Sequence, residues 1–118
     1  MMRHTLSPDQ RLKRKKDFDR LRQVGQKLYC KNFLVVLADS ETGRSRIGLT
    51  VSKKVDKRAV KRNYVKRRVR EVFRLHQAQL SKPFDIIVIA RQNAQLCDYS
   101  EIKRQLIGCL KYHGLLEQ

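Results

Sequence analysis

Apolar residues along this chain switch between two spacings. Phe18, Leu21 and Val24 recur every third residue, as on one face of a helix, and Gly25 follows as a stop. Two starts are open for that helix: Ser7-Pro8, with Gln10 placed as in a capping box, or a point near Lys15. Leu28-Tyr29-Cys30 comes next, and then Phe33-Leu34-Val35-Val36-Leu37-Ala38, an apolar, β-branched run suited to a strand. Residues 39–43 read as a turn. Ile47, Leu49 and Val51 then alternate with Gly48, Thr50 and Ser52, which predicts a half-buried strand pairing back as a hairpin.

Helical spacing returns over residues 56–76, with Asp56 as the expected N-cap. Val65, Val69, Val72 and Phe73 share one face, and Asn63, Arg67, Arg70 and Arg74 lie opposite. Arg62, Lys66 and Arg68 flank the apolar stripe. Pro83 punctuates a loop. Ile86-Ile87-Val88-Ile89-Ala90 is a continuous apolar run, the mark of a central strand covered on both faces. A last helix starts near Asp98 or Ser100, carries Ile102, Leu106, Cys109 and Leu110 on one side, and stops at Gly114. The pattern predicts an α+β or α/β sandwich with a small sheet. The strand–helix–strand over residues 47–90 implies a parallel pair, and the general rule makes such a crossover right-handed.

Composition sharpens this into a binding function. Ten of the eighteen residues 53–70 are Lys or Arg and only Asp56 opposes them, so this stretch carries +9 of the net +17. Like charges recur at helical neighbours (Lys54/Arg58, Arg58/Arg62, Lys66/Arg70), which destabilises a bare helix and calls for an anionic partner. Arginine forks fit phosphate bidentately, so nucleic acid is the expected partner. An anionic membrane surface is the second candidate, disfavoured because the basic helix has only Val and one Phe on its apolar face and no apolar run is long enough to span. A sequence-specific DNA reader needs polar base-reading side chains, and this helix is nearly all cationic. At 118 residues the chain is one domain, 1–118, with residues 1–11 as a flexible basic N-terminus lacking the apolar segment of a secretory signal.

No catalytic constellation is visible. The eleven carboxylates are scattered and read as solvated surface groups, without the cluster that two-metal hydrolysis needs. Cys30, Cys97 and Cys109 lack zinc-ligand spacing and read as reduced structural thiols of a cytoplasmic protein. The expected catalytic and metal-binding residues of the chain are therefore none.

The run GLTVSKK (residues 48–54), followed by KRNYVKRRVRE (residues 61–71), resembles the bacterial ribonuclease P protein component. Lys16-Asp17-Phe18 with Gly25 resembles the family's first helix, and Ala90-Arg91 the end of its last strand. The likeness spans residues 12–115. It implies an α/β two-layer sandwich, ribosomal-protein-like, with a four-stranded sheet and three helices in the order α-β-β-β-α-β-α. It also implies a left-handed βαβ crossover, which is followed here against the general rule. The resemblance further implies that the protein binds a catalytic RNA, one protein per RNA, and that the assembly removes the 5′ leader of precursor tRNA with Mg2+ held mainly by the RNA. By position, the RNA-subunit contacts fall on Lys53, Lys54, Arg58, Arg62, Asn63, Lys66, Arg67, Arg68 and Arg70. The leader cleft falls on Phe18, Arg22 and Val36. Tyr64 replaces a customary arginine, while Arg22 and Val36 stand where relatives carry aromatics, so the resemblance implies leader binding that relies more on charge than on stacking. A ribosomal protein with a similar domain is the alternative.

Overall fold

The computed structural model describes residues 10–117. Helix α1 (Lys15–Val24) is followed by strands β1 (Gln26–Tyr29), β2 (Phe33–Asp39) and β3 (Arg46–Thr50), helix α2 (Ala59–His76), strand β4 (Phe84–Ala90) and helix α3 (Tyr99–Tyr112). Short 3-10 turns at Gln77–Gln79 and Ala94–Leu96 flank β4. The sequence order α-β-β-β-α-β-α is therefore observed.

The four strands lie in the order β1-β2-β4-β3. Strand β2 is antiparallel to both β1 and β4, and β3 is parallel to β4 with α2 as the crossover. The expected hairpin between β2 and β3 does not form. β4 is buried along nearly its whole length and takes the place between them. A strand apolar on both faces needs neighbours on both edges, whereas the alternating β3 tolerates the outer position. The hairpin that does form joins β1 to β2.

Helices α2 and α3 cover one face of the sheet. There Leu28, Phe33, Val35, Leu37, Ile47, Ile86 and Val88 meet Val65, Val69, Val72, Ile102 and Leu106 in the main core. A smaller cluster of Leu12, Leu21, Val36 and Ile87, with Phe18 packed on it, lies under α1 on the other face. Each buried Leu, Ile, Val or Phe contributes roughly 1.5–3 kcal/mol, so the larger cluster holds most of the stability.

Several local expectations change. α1 uses the later start, at Lys15; the alternative start at Ser7-Pro8 lies outside the described residues. Gln10 and Arg11 end the stretch expected to be flexible, and here the Gln10 amide donates to Gln77 Oε1 at 2.7 Å while Arg11 bridges to Ile47. Gly25 ends α1 as expected, with its N–H donating to the Leu21 carbonyl, but in an extended conformation at φ −72°. It is required for close approach, since a Cβ there would lie 2.5 Å from Val36 Cγ1. Asp56 is not the N-cap of α2; Arg58 occupies that position. Asp56 instead accepts from the Arg58 backbone N–H at 2.9 Å and from its guanidinium Nε at 3.0 Å, closing a turn just ahead of the helix. Asp98 does cap α3, accepting from Glu101 N–H at 2.9 Å, and Gly114 ends it at φ +71°.

The carboxylates are not all solvated. Asp17 and Asp85 are buried. Asp85 accepts from Arg46 at 2.8 and 2.7 Å and from Arg20 at 2.5 Å, and Arg46 also lies 3.7 Å from Asp17. A buried carboxylate persists only when paired. This clasp ties α1 to β3 and β4.

Candidate nucleic-acid interface

The apolar stripe Val65, Val69, Val72 and Phe73 turns one side of α2 into the core, and that fixes where its cations stand. Asn63 and Arg67 are exposed, while Arg62, Lys66, Arg68 and Arg70 are half-buried along the flanks. Lys53 and Lys54 are exposed in the turn after β3, immediately before α2. The predicted RNA-subunit residues are thus gathered on α2 and its preceding turn.

They are not equivalent. Arg58 is engaged by Asp56, whose carboxyl is held down to about 2 by the hydrogen bonds from Arg58. Arg74 is engaged by Glu71 at 2.6 Å. Arg62 donates to the backbone carbonyls of Asp56 and Lys57 at 3.0 and 2.8 Å, bracing the turn. The Arg68 guanidinium lies 4.4 Å from the centre of the Tyr64 ring. The tyrosine that replaces a customary arginine therefore stacks on a neighbouring one. Burial pulls the Arg70 guanidinium below its usual value, with Arg11 as a second, repulsive cause. Among the described residues, no ion pair ties Arg62, Arg67, Arg68 or Arg70 to a carboxylate. An uncompensated cationic face of this kind suits a polyanion.

The second region is the sheet face under α1. Strand register puts its side chains in three rows: Ala38, Asp85 and Arg46; then Lys27, Val36, Ile87 and Gly48; then Tyr29, Leu34, Ile89 and Thr50. The clasp holds α1 over the first row. The second lies under the helix: a Cβ on Gly48 would come within 2.7 Å of Phe18 Cζ, and Gly25 presses on Val36. Among the described residues the third row has no comparable cover, and Leu34 and Ile89 are only half-buried.

Phe18 is half-buried at the rim of this cleft, packed on the small cluster. Arg22 is exposed on α1. Val36 is only 1 % exposed and lies beneath Gly25, closed off from solvent. The sequence reading passed over Tyr29, which is 66 % exposed and shares the cleft face with Lys27. Its signal was available in principle, as the lone aromatic alternating with Leu28. Among the described residues, no group of three or more His, Cys, Asp or Glu side chains could hold a metal ion, and no helix is long and apolar enough to cross a membrane.

A ribonuclease P family model matches residues 6–114. The chain belongs to the ribonuclease P protein family. It is 37 % identical over 113 residues to the ribonuclease P protein component of Dictyoglomus turgidum, covering 93 % of each chain. The Syntrophus aciditrophicus protein of the same name is 33 % identical over 106 residues, covering 90 % of this chain and 88 % of that one. Among solved structures, the Staphylococcus aureus ribonuclease P protein superposes with a TM-score of 0.82 at 34 % identity, covering 92 % of this chain and 98 % of that one. The Thermotoga maritima protein gives 0.77 at 32 %, covering 86 % and 96 %. The α+β sandwich read from the sequence is the fold of the ribonuclease P proteins. The chain accordingly takes part, as a protein subunit with an RNA partner, in the ribonuclease that matures tRNA 5′ ends.

Proposed function

We propose that this chain docks on the ribonuclease P RNA through α2 and the Lys53-Lys54 turn. In the same reading it holds the single-stranded 5′ leader of precursor tRNA between α1 and the sheet, and it works in the cytoplasm as one copy per RNA. The observation that carries the proposal is the surface of α2 on which Arg62, Arg67, Arg68 and Arg70 form no ion pair with a carboxylate among the described residues. Phosphates complete those forks. Phe18 at the rim offers a stacking surface to an unpaired base, and Arg22 offers charge beside it. Val36 serves from below, setting the floor on which α1 rests.

In this reading bond breaking belongs to the RNA, where Mg2+ would supply the charge that activates water and stabilises a leaving oxygen. Among the described residues no carboxylate cluster fits such an ion, and seven carboxylates already face cations. Asp17 and Asp85 face Arg46, Glu41 faces Arg20, Asp56 faces Arg58, Glu71 faces Arg74, Glu101 faces Arg104 and Asp39 faces Lys82. The protein's contribution is electrostatic: two polyanions are brought together, and a cationic surface between them lowers their repulsion.

The test is the salt dependence of binding to ribonuclease P RNA. Each phosphate contact contributes roughly 0.7–0.9 to the log–log slope, so Arg67→Ala with Arg68→Ala should weaken binding and flatten the slope by about 1.4–1.8. Arg104→Ala, on α3 and already paired with Glu101 at 2.7 Å, should leave the slope unchanged. An unchanged slope in the α2 double variant, with the fold intact by circular dichroism, overturns the docking face.

A further inference from the structure

The third row of the α1-side sheet face is the part of the cleft that the helix leaves open. Its members, Tyr29, Leu34, Ile89 and Thr50, are neighbours across all four strands, a span of about 14 Å at ordinary strand spacing. Tyr29 sits at the β1 end with its ring largely in solvent. The backbone beneath it is fixed by pairing with Leu34, so the ring is presented from a rigid element. The Arg91 guanidinium stands 5.8 Å from the ring centre, and its NH1 donates to the carbonyl of Cys30 at 3.4 Å. Lys27 is exposed on the same face, two residues earlier on β1. The second and third rows contain no carboxylate, and Asp85 in the first is engaged by its two arginines.

An exposed aromatic ring on an aliphatic strip, with cations beside it, matches an unpaired nucleobase with its phosphate. An apolar peptide would leave the cations unanswered, and a duplex offers no free base face. We propose that Tyr29 and Arg91 form a base-stacking subsite for single-stranded RNA, taking a leader nucleotide other than the one beside Phe18. This rests on the leader-binding reading above. It restores stacking to a cleft in which Arg22 and Val36 stand where aromatics were expected: the aromatic surface has moved to β1.

The test uses the enzyme reconstituted with ribonuclease P RNA and precursor tRNAs carrying 2-aminopurine at successive leader positions. In the wild type and in Tyr29→Phe, one position should be quenched by stacking. In Tyr29→Ala that quench should disappear, with binding of precursor weakened from about five-fold to a hundred-fold. Mature tRNA and a precursor with its leader cut short of that position should bind all variants alike. Arg91→Ala should weaken the same position in part. Because Tyr29 is mostly exposed, Tyr29→Ala should melt with the wild type. Unchanged quenching and affinity in Tyr29→Ala, or an equal loss for mature tRNA, overturns the subsite. A wild-type enzyme whose affinity ignores the leader altogether overturns the leader reading, and the subsite with it.

Discussion

Asp85→Ala is expected to be among the most damaging single changes in this chain. The Asp85 carboxylate is fully buried, while the side chains of its partners Arg20 and Arg46 remain 23 % and 13 % exposed. Removing one member of a buried ionic group costs about 3–5 kcal/mol, because the remaining charges lose their compensation. Both arginines keep some water contact, and Asp17 stays near Arg46, so the lower end applies: about 3 kcal/mol. For a domain of this size each kcal/mol moves Tm by about 4 °C, which predicts a fall of about 12 °C by calorimetry or circular dichroism. The double variant Arg46→Met/Asp85→Leu should recover part of the loss, since apolar replacement of a whole buried pair is frequently close to neutral. A Tm drop below about 3 °C for Asp85→Ala would refute the reasoning, because it would mean that the clasp is open to water.

Three further outcomes follow from the same geometry. Gly48→Ala should cost about 1–3 kcal/mol in chemical denaturation, since the new methyl meets Phe18 at 2.7 Å and Leu12 at 3.1 Å. The Asp56 carboxyl is depressed to about 2 by Arg58, so its contribution is present above the ordinary value near 4 and is lost as pH falls from about 4 towards 2. Asp56→Asn should therefore flatten the acid limb of a Tm–pH curve. Cys30 is pushed up to about 12, chiefly by burial, so about one thiol in ten thousand is ionised at pH 8. Mass spectrometry should find it alkylated by iodoacetamide far more slowly than a free cysteine.

Much of the framework was legible because local periodicity encodes it. Val65, Val69, Val72 and Phe73 declared the buried face of α2, and that face dictates where the arginines stand. The all-apolar run in β4 announced a central strand. Periodicity does not say which strands become neighbours, so β3 was placed against β2 and not beyond β4. Nor does it reveal long-range pairing of charges. Asp85 occupies a strand end and reads as solvent-facing until Arg46 and Arg20, distant in sequence, close over it. Gly25 reads as a helix stop and Gly48 as a polar-face strand position, yet both are fixed by what packs on them. The basic helix α2 could be read from charge density and apolar spacing alone. The cleft could be read only through resemblance, which pointed to Phe18, Arg22 and Val36 and passed over Tyr29, because exposure of that ring depends on where α1 ends above the sheet.

The most direct measurement is precursor-tRNA cleavage by ribonuclease P RNA across a Mg2+ titration, with and without this protein. The account predicts that the protein shifts the titration to lower Mg2+, that the Arg67→Ala/Arg68→Ala variant loses most of that shift, and that protein alone cleaves nothing. Specific 5′ cleavage by the protein alone, surviving nuclease removal of contaminating RNA, or a titration that the protein leaves unmoved, would contradict it.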